Sequence, residues 1–155
     1  MSIDDDIAFL EKVPVLAVLG REALRILAIG AETRYVHSGE VLFGTGDAAD
    51  AGYVVQDGSF KLKTNPSESD DRATISGRGA LLGEFALLTD TTWPMTAIAA
   101  EPSNVLRMPR SLFLKMLDGY PDAATRLRTL MISRVNRTAE QIRDVRVALD
   151  PNARK

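Results

Sequence analysis

The chain contains no cysteine. That absence removes disulfides, thiolate metal sites, iron–sulfur clusters and cysteine nucleophiles together. Its one histidine, His37, cannot by itself build a multi-histidine metal site or a paired catalytic dyad. A metal-dependent enzyme that gathers several histidines around its metal is therefore set aside. No Gly-x-Ser-x-Gly elbow is present, so nucleophilic catalysis has no evident machinery. Positive charge is missing where a secretory leader needs it, because Met1-Ser2-Ile3 runs into Asp4, Asp5 and Asp6. Long apolar runs are missing too. Val13 to Leu19 is far short of the roughly 20 residues that span a bilayer. The expectation is a cytoplasmic domain, not an enzyme, with no metal and no membrane.

What remains is the composition of one soluble domain. The 155 residues suffice to bury a core, 45% are hydrophobic and 26% charged, and the formal net charge of -2 advertises neither nucleic acid nor a membrane surface. Ile7, Leu10 and Val13 follow helical spacing behind the three acids, which suit the positive end of a helix dipole. A second helix is expected from Arg21 to Ala31, with Leu24, Leu27 and Ala28 on one face.

From Thr33 to Ala100 the period shortens. Runs rich in Val, Tyr, Phe, Thr and Ile are punctuated by Ser38-Gly39, Gly44-Thr45-Gly46-Asp47, Asp57-Gly58, Ser76-Gly77-Arg78-Gly79 and Leu82-Gly83-Glu84. Many short strands with frequent turns mean a sandwich, barrel or jelly roll. Thr64 to Arg72 reads as an exposed, mobile hairpin loop. Strand character returns from Met95 to Arg107, Pro109 opens a helix over Ser111 to Asp118, and Gly119 and Pro121 end it and start another. That last helix reads without a breaker to Ala148. Met131, Val135, Thr138, Ile142, Val145 and Leu149 step by four and three along it, the spacing of a coiled-coil seam between two copies.

The fold class expected is α+β, mainly β. N-terminal helices occupy 1–31, a β-roll 32–108, hinge and dimerisation helices 109–149, and a tail 150–155.

The order of these motifs resembles a known family. Gly39-Glu40-Val41-Leu42-Phe43, Gly46-Asp47 and Tyr53 to Gly58, followed by Gly79, Gly83-Glu84-Phe85-Ala86-Leu87-Leu88, Pro94 and Thr96-Ala97, resemble the cyclic-nucleotide-binding domain. This is the sensor module of the Crp–Fnr superfamily, of cyclic-nucleotide-dependent kinases and of gated channels. Pro109-Arg110, Phe113 and the long helix complete the order, and the resemblance covers nearly the whole chain.

The resemblance implies that Gly83, Glu84, Phe85, Ala86, Trp93, Met95, Thr96 and Ala97 form the ligand site. Cyclic AMP or cyclic GMP would be the ligand. Glu84 stands where the family's ribose acceptor stands. The arginine that clamps the cyclic phosphate is replaced by Met95. Methionine offers neither charge nor donor, and losing a charge-assisted hydrogen bond costs about 1.5–3 kcal/mol, or roughly ten- to a hundredfold in affinity. Weak nucleotide binding is the expectation.

Each residue also has a plainer reading. Glu84 suits equally a ribose acceptor and a first-turn acid on a short helix beginning near Gly83, whose backbone lets a ligand approach closely. Thr96 suits an ordinary strand, Met95 a core-facing position, and Trp93 packing against the Gly83 to Leu88 segment more than base recognition. His37 and Asp47 read as surface and turn residues. In the resemblance a partner's helix offers a hydroxyl to the purine, for which Thr138 or Asn136 stands as candidate, although Thr138 also suits register-setting. The arginines at 126, 128, 134, 137, 143 and 146 read as a solvated flank.

Crp–Fnr regulators place a helix-turn-helix after this helix. Only seven residues follow Ala148, so no DNA-binding domain is expected here. Two functions remain, a homodimeric sensor of a small molecule and a ligand-free module that docks a partner protein.

Overall fold

The computed structural model describes residues 2–65 and 67–134. The seam positions Val135, Thr138, Ile142, Val145 and Leu149, with Asn136, lie outside the described residues.

Helix α1 (Ile3–Leu10) begins with a capping box. The Ser2 hydroxyl accepts from the Asp5 amide while the Asp5 carboxylate accepts from the Ser2 amide. A 3-10 turn at Leu16–Leu19 leads to α2 (Arg21–Gly30), which buries Ala23, Leu24, Leu27 and Ala28. Val13 lies just past α1 and is buried nonetheless.

Ten strands follow among the described residues: β1 (Glu32–Val36), β2 (Val41–Phe43), β3 (Ala48–Ala49), β4 (Ala51–Asp57), β5 (Phe60–Lys63), β6 (Thr74–Ser76), β7 (Leu81–Leu82), β8 (Thr91–Thr92), β9 (Thr96–Ala99) and β10 (Ser103–Pro109). They form two four-stranded sheets, β1-β10-β4-β7 and β2-β9-β5-β6, with a short β3-β8 pair at one end. All the pairings are antiparallel. The architecture is a mainly β jelly roll with helices packed on it.

Two cores share the central strands. Val54, Leu106 and Met108 point out to the helices and meet Leu10, Leu24, Leu27, Phe113 and Met116. Val55, Tyr53 and Val105 point into the roll and meet Val36, Phe43, Phe60 and Trp93. Because β4 and β10 are covered on both faces, their sequences read as apolar runs without clean alternation.

The β4–β5 turn depends on Gly58. Its φ is +90°, and a Cβ there would stand 2.1 Å from the Ser103 hydroxyl oxygen. The hairpin between β5 and β6 carries a 3-10 turn at Asp70–Arg72 and is pinned to β5, since Asp70 pairs with Lys61 at 2.8 Å and Lys63 at 2.7 Å.

Helix α3 (Arg110–Gly119) follows β10 directly, and a further helix, α4, occupies 121–134. Ala123 and Leu127 of α4 are buried in the helix-side core and Met131 packs against it, so the first seam position touches its own chain. Arg126 donates to the carbonyls of Val18 and Leu19 at 2.6 and 2.8 Å, which makes it a brace between α4 and the N-terminal turn. The solvated-flank reading fails for that residue, because carbonyl partners leave no pattern in sequence.

Candidate functional site

A cavity of about 530 Å³ opens where β7, the following loop and β8 meet the inner face of the roll. Gly83, Glu84, Phe85, Ala86, Trp93 and Met95 line it, joined by Phe43, Ala49, Leu62, Leu81, Leu82, Thr91, Thr92 and Pro94. Six of the eight residues expected at the site are therefore brought together.

The other two, Thr96 and Ala97, are buried in β9 and do not line it. The Thr96 hydroxyl is occupied. It accepts from the Thr45 amide at 3.0 Å and lies 2.9 Å from the Thr45 hydroxyl, which itself donates to the Thr64 carbonyl at 3.2 Å. With Thr45 donating onward, Thr96 donates to Thr45. The pair ties the Gly44–Gly46 turn to β9.

Three local features depart from the sequence expectations. The helix expected at Gly83-Glu84 is a single 3-10 turn, Phe85–Leu87. So few aligned peptides give only a weak terminal dipole. Gly83, with φ +91°, does admit a close approach, but the approaching group is Trp93: a Cβ would stand 2.5 Å from the indole edge and 3.1 Å from the Ala51 carbonyl oxygen. The indole in turn stacks on Phe43, with ring centroids 3.6 Å apart and planes 7° from parallel. Finally, the Glu84 carboxylate is not turned freely to the cavity. It accepts from the Arg134 guanidinium of α4 at 2.9 and 3.1 Å. Arg134 had read as part of a solvated flank, and its partner stands 50 residues away in sequence.

Sequence reasoning also passed over Arg110 as a contributor to the site. Its guanidinium donates to the carbonyls of Ala49, Ala86 and Thr89 at 3.0, 3.3 and 2.8 Å and to the Asp90 carboxylate at 2.5 Å. It therefore holds the loop after Phe85 against β3. An arginine opening a helix after a strand carried no hint of this, although its place beside Pro109 marked it. Phe43 reads within the family motif and Leu82 within a glycine turn, and neither is expected at the site. His37 is exposed, edge-on to Tyr35 at 4.7 Å. Among the described residues no cluster of acids, histidines or cysteines could hold a metal ion.

The sequence profile of the cyclic nucleotide-binding domain matches residues 33–120, which spans the roll, this cavity and α3. The chain belongs to that family. A solved cyclic nucleotide-binding-like protein from Brucella abortus is 36% identical with a TM-score of 0.64, covering 74% of this chain and 99% of that one. The N-terminal domain of a transcriptional regulator from Streptomyces coelicolor is 26% identical with a TM-score of 0.75, over 88% and 94% of the two chains. Lysophospholipase NTE1 of Candida albicans is 28% identical over 147 residues, which are 90% of this chain but 11% of that protein. The chain thus spans about a tenth of that relative's length. It is a domain of the cyclic-nucleotide-binding type, and no helix among the described residues is long and apolar enough to cross a membrane.

Proposed function

We propose that the chain is a cytoplasmic, non-catalytic sensor module, homodimeric through α4 and its continuation, whose cavity at the roll's mouth receives the signal. Cyclic nucleotides bind there weakly. The observation that carries this reading is that Met95 lines the cavity, and the family resemblance assigns the phosphate-clamping arginine to that position. With no guanidinium to pair the cyclic phosphate, affinity falls by roughly ten- to a hundredfold. Ile132, more than half exposed beside Met131, supports an intermolecular contact on α4.

Titration calorimetry with cyclic AMP and cyclic GMP tests the reading. The Met95→Arg variant is expected to bind at least about tenfold tighter than wild type. No gain in that variant overturns the assignment of the cavity.

A second reading has its own observation. Glu84 already has a cationic partner in Arg134, as a pocket closed to ligands and used as a protein-docking module would have. Light scattering of the full chain, together with the calorimetry, separates the two. A monomer with no ligand response favours docking to a different protein.

A further inference from the structure

We propose that the cavity takes an uncharged, largely apolar ring-bearing molecule in preference to any anion, and that Phe85 closes over it. The inference rests on reading this cavity as the sensing site and adds the chemical class of what is sensed.

The first argument is charge. Among the described lining residues there is no lysine or arginine, and Glu84 is the one ionisable group. Its carboxylate is matched by Arg134, so that guanidinium is already engaged by an acid before any ligand arrives. An anion entering the cavity meets a carboxylate and leaves its own hydration behind with no facing cation in exchange. A neutral molecule meets no such penalty.

The second argument is surface. Phe43, Leu62, Leu82, Trp93 and Met95 supply an apolar lining, and the volume of about 530 Å³ suits a small molecule. The stacked Phe43–Trp93 pair presents flat, rigid aromatic surface that costs little entropy to pack against. At the rim Phe85 is 67% exposed, although the next two residues are buried. A phenyl ring left in water beside an apolar hollow gains most by folding over an apolar occupant. Thr91 and Thr92, exposed on the same rim, can orient such a molecule by a neutral hydrogen bond.

The chain carries its own reporter, since Trp93 is its one tryptophan and lines the cavity. The test uses two probes with a common ring system, uncharged phenylnaphthylamine and its anionic relative anilinonaphthalene sulfonate. The uncharged probe is expected to quench Trp93 emission saturably and to bind about tenfold or more tighter than the sulfonate. Phe85→Ala, at an exposed position where folding is not at risk, is expected to weaken the uncharged probe several-fold. Met95→Arg should reverse the order of the two probes.

A preference below tenfold, or none, overturns the ligand class while leaving the cavity as a binding site. Absence of any saturable signal from the uncharged probe also overturns it. In that case, cyclic AMP binding by Met95→Arg shows that the sensing-site reading survives alone, and absence of that binding removes both.

Discussion

Two arginines hold the same loop, and they do so in different chemical terms. Arg110 reaches it from β10 and α3 and bonds mainly to carbonyls of the main chain, at Ala49, Ala86 and Thr89. Arg134 reaches it from α4 and bonds to a side chain, the carboxylate of Glu84. A carbonyl cannot turn away without moving the backbone, whereas a carboxylate can exchange partners by rotating its own bonds. The loop from Glu84 to Asp90 therefore has one end fixed and one end exchangeable. Any ligand that recruits Glu84 competes with α4 for it, and this links occupancy of the cavity to the helix proposed to carry the dimer contact.

The comparison breaks first at Arg110. Arg110→Ala removes four acceptor contacts around a guanidinium only about a fifth exposed and leaves carbonyls of a partly buried loop unpaired. The expected loss is about 2–3 kcal/mol, or a fall in melting temperature of roughly 4–12 °C for a chain of this size. Arg110→Lys should recover little, since one ammonium cannot reproduce the planar fork. Thermal unfolding of both variants checks this; a fall under about 1 °C would sink the idea that the fixed end depends on this residue.

Arg134→Ala should behave differently. The pair is partly solvated, with the guanidinium 41% and the carboxylate 26% exposed, so its stabilising contribution is discounted to about 0.5–1 kcal/mol. Glu84 is released, however. In a Met95→Arg background, where nucleotide binding is expected, removing the competitor should raise cyclic AMP affinity by about two- to fivefold. Calorimetry on the double variant reads this directly, and an unchanged or lower affinity means that Arg134 does not compete for Glu84.

Much of the fold was legible because periodicity and turn chemistry agree along the roll. The switch of period after Ala31 and the Pro109 start fall at junctions of helix and strand, and the glycine turns fall between strands. The family motif likewise identified six cavity residues. What was hidden is long-range and chemical. Nothing in the surroundings of Thr96 shows that Thr45 will use both functions of its hydroxyl, or that Gly83 yields space to Trp93 and not to a ligand. Arg134 belongs to a stripe of similar arginines, and only packing of α4 against the helix-side core selects it to meet Glu84. Sequence period reports which face is apolar, but pairing between polar side chains tens of residues apart is fixed by the fold as a whole.

The smallest expected effect lies at a third pairing, where both partners come from one hairpin. Asp70 bridges Lys61 and Lys63, and hydrogen bonds from these ammonium groups, Lys61 first, hold its carboxyl down from the ordinary 3.8 to about 2. A carboxyl whose folded pKa is depressed favours the folded state above its unfolded value. That contribution is fully present above about pH 4 and declines as pH falls from there toward 2, because the unfolded chain takes up its proton first. The Asp70 side chain is well exposed, so the effect is small and screened by salt. Urea midpoints of wild type and Asp70→Asn should therefore differ slightly at pH 7, and the gap should narrow between pH 4 and 2 and in high salt. A gap that stays constant through that range would assign Asp70 a packing role in the hairpin in place of an electrostatic one. Unlike Arg134, which exchanges a partner used by the site, this carboxylate would then join Arg110 among the fixed contacts.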